Sequence, residues 1–183
     1  MSGDLDDDPF SRLGIEPAFD MDDSVIESRI LRATARLHPD RAADPIQAEE
    51  WSRELAAVNE AGRMLLSRER RADALLRLLG GPAASDEKGL PEGFLEQMLA
   101  TRMELEEAVA AGDQQGVSAL ETWAREEREH HHRRVADLFN ACREDVDPSI
   151  LVKIRLELNR WRYIERMIEQ LHPAPGSSSE VPE

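Results

Sequence analysis

Apolar residues along this chain recur at steps of three and four, with no convincing alternation of the kind a half-buried strand needs. That period places side chains on one face of an α-helix, so the chain is expected to be all-α. The punctuation divides the pattern into elements. Ile26, Ile30, Ala33 and Leu37 step by 4, 3 and 4 behind Asp22 and Asp23, either of which can cap a helix by accepting a backbone N–H. Pro39 lacks an N–H and biases His38 away from helical angles, so this helix stops near Leu37. A second helix follows Pro45, with Trp51, Leu55, Val58, Gly62 and Leu65 on one face. The pair reads as an antiparallel hairpin. Ser67 can cap a shorter helix over 68–79, which Gly80-Gly81-Pro82 ends.

Residues 80–93 are dense in turn formers and hold one large apolar residue, which marks a boundary between domains. Beyond it, Phe94, Leu95, Met98, Leu99, Arg102, Leu105 and Val109 form one helical pattern that stops at Gly112. Asp113 caps a second, with Val117, Leu120, Ala124, His131, Val135, Leu138 and Cys142, and Asp147-Pro148 opens a third, from Ile150 to Leu171. Short turns between long helices make neighbours antiparallel, which implies a three-helix bundle. The expected organisation is a helical hairpin domain with short flanking helices over 1–80, a linker over 81–93, the bundle over 94–171 and a disordered tail over 172–183.

Charge narrows the function. Thirty-eight acids against 23 bases give a net −15, which repels phosphate and anionic lipid and argues against nucleic-acid and membrane partners. No apolar run reaches the roughly 20 residues of a membrane span. Four Asp in the first eight residues are unlike a signal or transit peptide, and the single cysteine cannot form an internal disulfide. A cytoplasmic protein is expected. The charge is uneven, however. Residues 1–28 carry nine acids and one base, whereas 29–77 carry ten Arg against eight acids.

Arg29, Arg32 and Arg36 repeat at steps of 3 and 4, roughly a quarter turn round the helix from its apolar stripe at about 100° per residue. His38-Pro39-Asp40-Arg41 follows directly. A helix with a basic stripe, this turn and a second amphipathic helix resemble the J-domain of DnaJ-type co-chaperones. So do Asp8-Pro9-Phe10, Leu13-Gly14, Asn59-Glu60-Ala61 and Arg70-Arg71-Ala72. The tripeptide alone is a weak signal, and its placement makes it a strong one. The resemblance implies that Arg29, Arg32, Arg36, His38, Pro39, Asp40 and Arg41 dock on the ATPase domain of a DnaK/HscA-type chaperone.

The chain as a whole is similar to the HscB family of iron-sulfur cluster co-chaperones, over about residues 8–171. The similarity rests on Arg71-Ala72-Asp73-Ala74-Leu75-Leu76, on Phe94-Leu95, Leu99, Arg102, Glu104-Leu105 and Glu107, and on Trp161-Arg162-Tyr163-Ile164-Glu165-Arg166-Met167. It implies that the bundle binds an IscU-type scaffold protein through Leu95, Leu99, Glu107 and Tyr163. Glu96, Ala100 and Met103 depart from the family pattern of Met, Glu and Glu at those places. Spacing by itself puts Leu95 and Leu99 with the bundle core, yet the two apolar stripes on this helix are wider than one core requires.

Other candidates reduce to structure. His130, His131 and His132 point about 100° apart on a helix and cannot converge on one metal ion. His131 falls on the buried stripe and is expected to be half-buried. Cys142 reads as a packed thiol. No catalytic residue, metal ligand or cofactor site is expected, and the chain is read as not an enzyme; a monomer is favoured, though spacing and composition leave open whether the protein dimerises. Two further readings fit the same residues: a general J-domain co-chaperone with another client, and a helical adaptor that does not use its J-like segment.

Overall fold

The computed structural model describes residues 8–142 and 146–171, the side chains of Pro39 and Leu171 excepted. The proposed tail over 172–183 lies outside the described residues. All regular structure among the described residues is helical, and the chain divides into two compact units, Met1–Pro82 and Ala83–Glu183.

In the first unit α1 (Pro9–Leu13) is capped by Asp8, whose carboxylate accepts from the N–H groups of Phe10 and Ser11 at 3.1 and 3.0 Å. α2 (Asp23–Arg36) starts behind Asp22 and ends at Leu37, as the proline requires. α3 (Pro45–Leu66) runs back along it, and α4 (Arg68–Leu78) follows a Ser67 cap. Phe10, Leu13, Phe19, Ile26, Leu37, Val58, Ala61, Leu65, Ala72 and Leu76 are buried between them. Gly62 sets how closely the hairpin closes, because Ile30 of α2 occupies the place its Cβ would take. Arg71 of α4 is buried and reaches back to the start of α2, donating to Asp23 Oδ1 at 3.2 Å and to the Met21 carbonyl at 3.4 Å.

The second unit comprises α5 (Phe94–Ala111), α6 (Gln114–Ala141) and α7 (Pro148–Leu171). Asp113 and Asp147 cap α6 and α7 through the N–H groups of Gln115, Gly116 and Ser149. α6 and α7 share the longest interface. Val135, Phe139, Ile154, Leu158, Trp161 and Ile164 are buried in this unit, and Met98 of α5 packs with Ile164 and Met167. The α6–α7 seam is also polar. Arg128 forks onto Glu165 at 2.8 and 2.5 Å, and Trp161 donates to the same carboxylate at 2.7 Å. His131 is buried outright, not half-buried, because a buried Glu157 on α7 meets its Nδ1 at 2.7 Å. Residues 87–89, read above as linker, are held on this unit: Asn159 Nδ2 donates to the carbonyls of Glu87 and Gly89 at 3.0 and 3.3 Å.

Candidate functional site

α2 carries the first group of candidate residues. Arg29, Arg32 and Arg36 are exposed along one side of it, next to the edge that buries Ile26. Arg36 crosses the hairpin to Glu54 on α3 at 3.2 Å. Arg29 and Arg32 enter no ion pair among the described residues.

The turn after α2 is a short 3-10 segment, Pro39–Arg41. Its local bonds explain why it is ordered. Leu37 is buried and its N–H closes the last helical bond onto the Ala33 carbonyl at 2.8 Å, which anchors the start of the turn. Arg41 N–H donates to the His38 carbonyl at 3.0 Å, and Arg41 Nη1 donates to the Ala35 carbonyl at 2.9 Å, closing an open carbonyl at the end of α2. Asp40 N–H donates to His38 Nδ1 at 3.3 Å, with the Asp40 carboxylate 3.7 Å from the same nitrogen. With Nδ1 accepting, the tautomer assigned by that bond leaves the Nε2–H of the exposed imidazole for an outside acceptor. The turn thus displays one donor and one carboxylate at the end of a cationic stripe.

The second group lies on α5. Leu95 and Leu99 are 51 % and 59 % exposed, so the reading of them as bundle core is overturned. Met98 and Leu105 take the core positions instead. Met103 is 53 % exposed and continues the line, and Glu107, also exposed, ends it. The four residues stand at intervals of four, a strip that winds slowly round the helix. Tyr163 is placed differently. It is half-buried on α7, edge-on to Phe94 at 5.6 Å between ring centroids, with the Arg166 guanidinium 6.0 Å from its own ring centre. It belongs to the margin of the core beside the strip. Two residues escaped the sequence reading. Met103, one of the departures from the family pattern, has a place in the apolar line that spacing does not show. Arg12, at the end of α1, lines a groove with Arg29, Arg32 and Arg36 and shares no helical period with them.

Neither group contains a nucleophile held by a base. Burial pushes the Cys142 thiol up, the wrong direction for a thiolate nucleophile. A helical hairpin ending in a braced His-Pro-Asp turn, followed by a separate helical unit, defines a J-domain co-chaperone with a C-terminal helical domain. Residues 90–172 match the family model described as the HSCB C-terminal oligomerisation domain. The chain is 32 % identical over 153 residues to a co-chaperone protein HscB homolog of Ralstonia nicotianae, covering 80 % of this chain and 85 % of the relative. A second HscB homolog, from an Azoarcus species, is 34 % identical over 182 residues, with 95 % and 97 % covered. The chain belongs to the HscB co-chaperone family. Among solved structures, human co-chaperone HscB shares the fold with a TM-score of 0.75 at 19 % identity, over 93 % of this chain and 83 % of that one. The HscB chaperone of Vibrio cholerae gives 0.70 at 22 %, over 90 % and 94 %. No described helix is long and apolar enough to cross a membrane.

Proposed function

We propose that this chain stimulates the ATPase of a DnaK/HscA-type chaperone through the basic side of α2 and the turn at residues 38–41, and delivers an IscU-type scaffold protein held on α5. The observation that carries the reading is the braced His38–Asp40 turn at the end of a helix whose Arg29 and Arg32 stand exposed and unpaired among the described residues. Guanidinium groups suit an acidic partner surface, and the turn offers short polar groups at fixed spacing. The protein makes and breaks no bonds itself. It shifts its partner between conformations by binding them unequally, and needs no cofactor to do so. The scaffold reading is supported by three exposed apolar side chains in one line ending at Glu107, too large a strip for a helix that faced only its own bundle. On this reading the protein acts in the cytoplasm, beside these two partners.

Steady-state ATPase measurements on a purified DnaK-type chaperone test the proposal. His38→Gln should remove stimulation while leaving the far-ultraviolet circular dichroism unchanged. Stimulation should rise synergistically when an IscU-type scaffold is added. A fully active His38→Gln variant would sink the docking assignment, and stimulation without synergy would point to a different client.

A further inference from the structure

We infer that Arg166 on α7 receives an acidic residue of the scaffold protein, so that the surface proposed to hold the scaffold carries a cation at one end of its apolar strip and an anion at the other. This rests on the scaffold role proposed above for α5, and adds to it a residue and a polarity that role does not include.

The strip begins where α5 begins. Phe94, the first residue of α5, meets Tyr163 of α7 edge-on, and Leu95 beside it stands exposed. One helical turn beyond Tyr163, the exposed Arg166 holds its guanidinium 6.0 Å from the centre of the tyrosine ring, at the outer reach of a cation–π contact. Phe94 fixes that ring in turn, so a cation is presented from α7 next to the first turn of α5. Glu107, exposed, lies at the far end of the strip, about 18 Å from Leu95 at 1.5 Å per residue.

Neither terminal charge is spent among the described residues. The acids nearest Arg166 in sequence are Glu165 and Glu169. Glu165 is committed to Arg128 and Trp161, and Glu169 forms no ion pair with Arg166 among the described residues. Along the strip, Arg102 and Glu106 neutralise each other at 2.9 Å. Glu96 stands about 100° round α5 from Leu95, on the side away from the buried Met98 and so away from α7. The outward surface is therefore apolar in its middle, cationic beside Leu95 and anionic at Glu107. Its complement on the scaffold is an acid, an apolar centre and a base in that order. A carboxylate matches the planar fork of the guanidinium, and seating the scaffold the other way round would bring like charges together.

The test is isothermal titration calorimetry of the full chain into a purified IscU-type scaffold, with the parent, Arg166→Gln, Arg166→Lys, Arg166→Glu, Lys153→Gln and the Leu95→Ala, Leu99→Ala double variant. Arg166→Gln should raise the dissociation constant about threefold to fivefold and make it less sensitive to salt. Arg166→Glu should raise it about tenfold or more, and Arg166→Lys, which keeps the charge, should recover most of the affinity. Lys153 is the control, an exposed cation of the same helix in a groove lined by α6 and α7 alone; Lys153→Gln should leave the affinity unchanged. Thermal melts of the parent and the Arg166 variants should coincide, since the side chain is exposed. Arg166→Gln and parent isotherms that superimpose, or a loss from Lys153→Gln as large as that from Arg166→Gln, overturn the assignment of Arg166 while leaving α5 standing. A parent chain that binds no scaffold, or a Leu95→Ala, Leu99→Ala variant that binds fully, removes the scaffold role of α5 and Arg166 with it.

Discussion

Arg71 shows how a single buried side chain can tie two helices of the first unit together. It is among the most buried residues of its unit, and its bonds to Asp23 and the Met21 carbonyl fasten α4 to the first turn of α2. Arg71→Ala leaves a cavity and an unpaired carbonyl, and should lower the stability of this unit by about 2 kcal/mol in urea titration. Gly62 works by what it lacks. Gly62→Val forces Ile30 out of its place and should cost about 1–3 kcal/mol, read from the same titration. Glu157 makes stability depend on pH. Burial alone would raise its carboxyl, but the hydrogen bond from His131 and the charges of His131, Arg134 and Arg160 outweigh burial and hold it below its ordinary value. A carboxylate depressed in the folded state contributes stability above the unfolded pKa and loses it as pH falls through the folded one. Thermal melts from neutral pH down through the carboxylate range should therefore show Tm falling, and Glu157→Gln should flatten that fall. An unchanged acid limb would mean that the other carboxylates carry it.

At the scale of the element, α5 is the helix whose pattern was most ambiguous. Phe94, Leu95, Met98, Leu99, Leu105 and Val109 all fit a helical face, and spacing cannot say which of two adjoining stripes meets a neighbour. Packing settles it: Met98 meets Ile164 and Met167, while Leu95, Leu99 and Met103 stand out in solvent. Because they are exposed, Leu95→Ala with Leu99→Ala should change the melting of the bundle little, by about 0.5 kcal/mol or less for each substitution. The same pair should weaken capture of an IscU-type scaffold at least tenfold, on the usual scale of paired apolar anchors. Retained binding would move the scaffold site off α5. α2 presents the opposite case, since its cap, its stop and its basic side all follow from residues a few positions apart.

At the scale of the molecule, charge and chain punctuation already separate the parts. An acidic leader, a slightly basic stretch over 29–77 and an acidic remainder make the two proposed partner surfaces unlike, which disfavours binding in the wrong sense. The stretch after Pro82 is less independent than its composition suggests. Arg155 donates to Asn159 at 3.1 Å, and Asn159 in turn holds the carbonyls of Glu87 and Gly89. Asn159→Ala should release the backbone on either side of the exposed Lys88 and speed trypsin cleavage there severalfold, by loss of these hydrogen bonds. Helix limits, caps and the His-Pro-Asp turn were readable from the chain because each depends on neighbours within about four residues. So was membership of a J-protein family, which rests on short motifs in order. Three features needed the folded chain: the burial of His131 against Glu157, the exposure of Leu95, Leu99 and Met103, and the gathering of Arg12 with the α2 arginines. Each joins residues on different helices or depends on which helix covers which face. Local sequence sets a side chain's direction around its own axis, and only packing sets what lies in that direction.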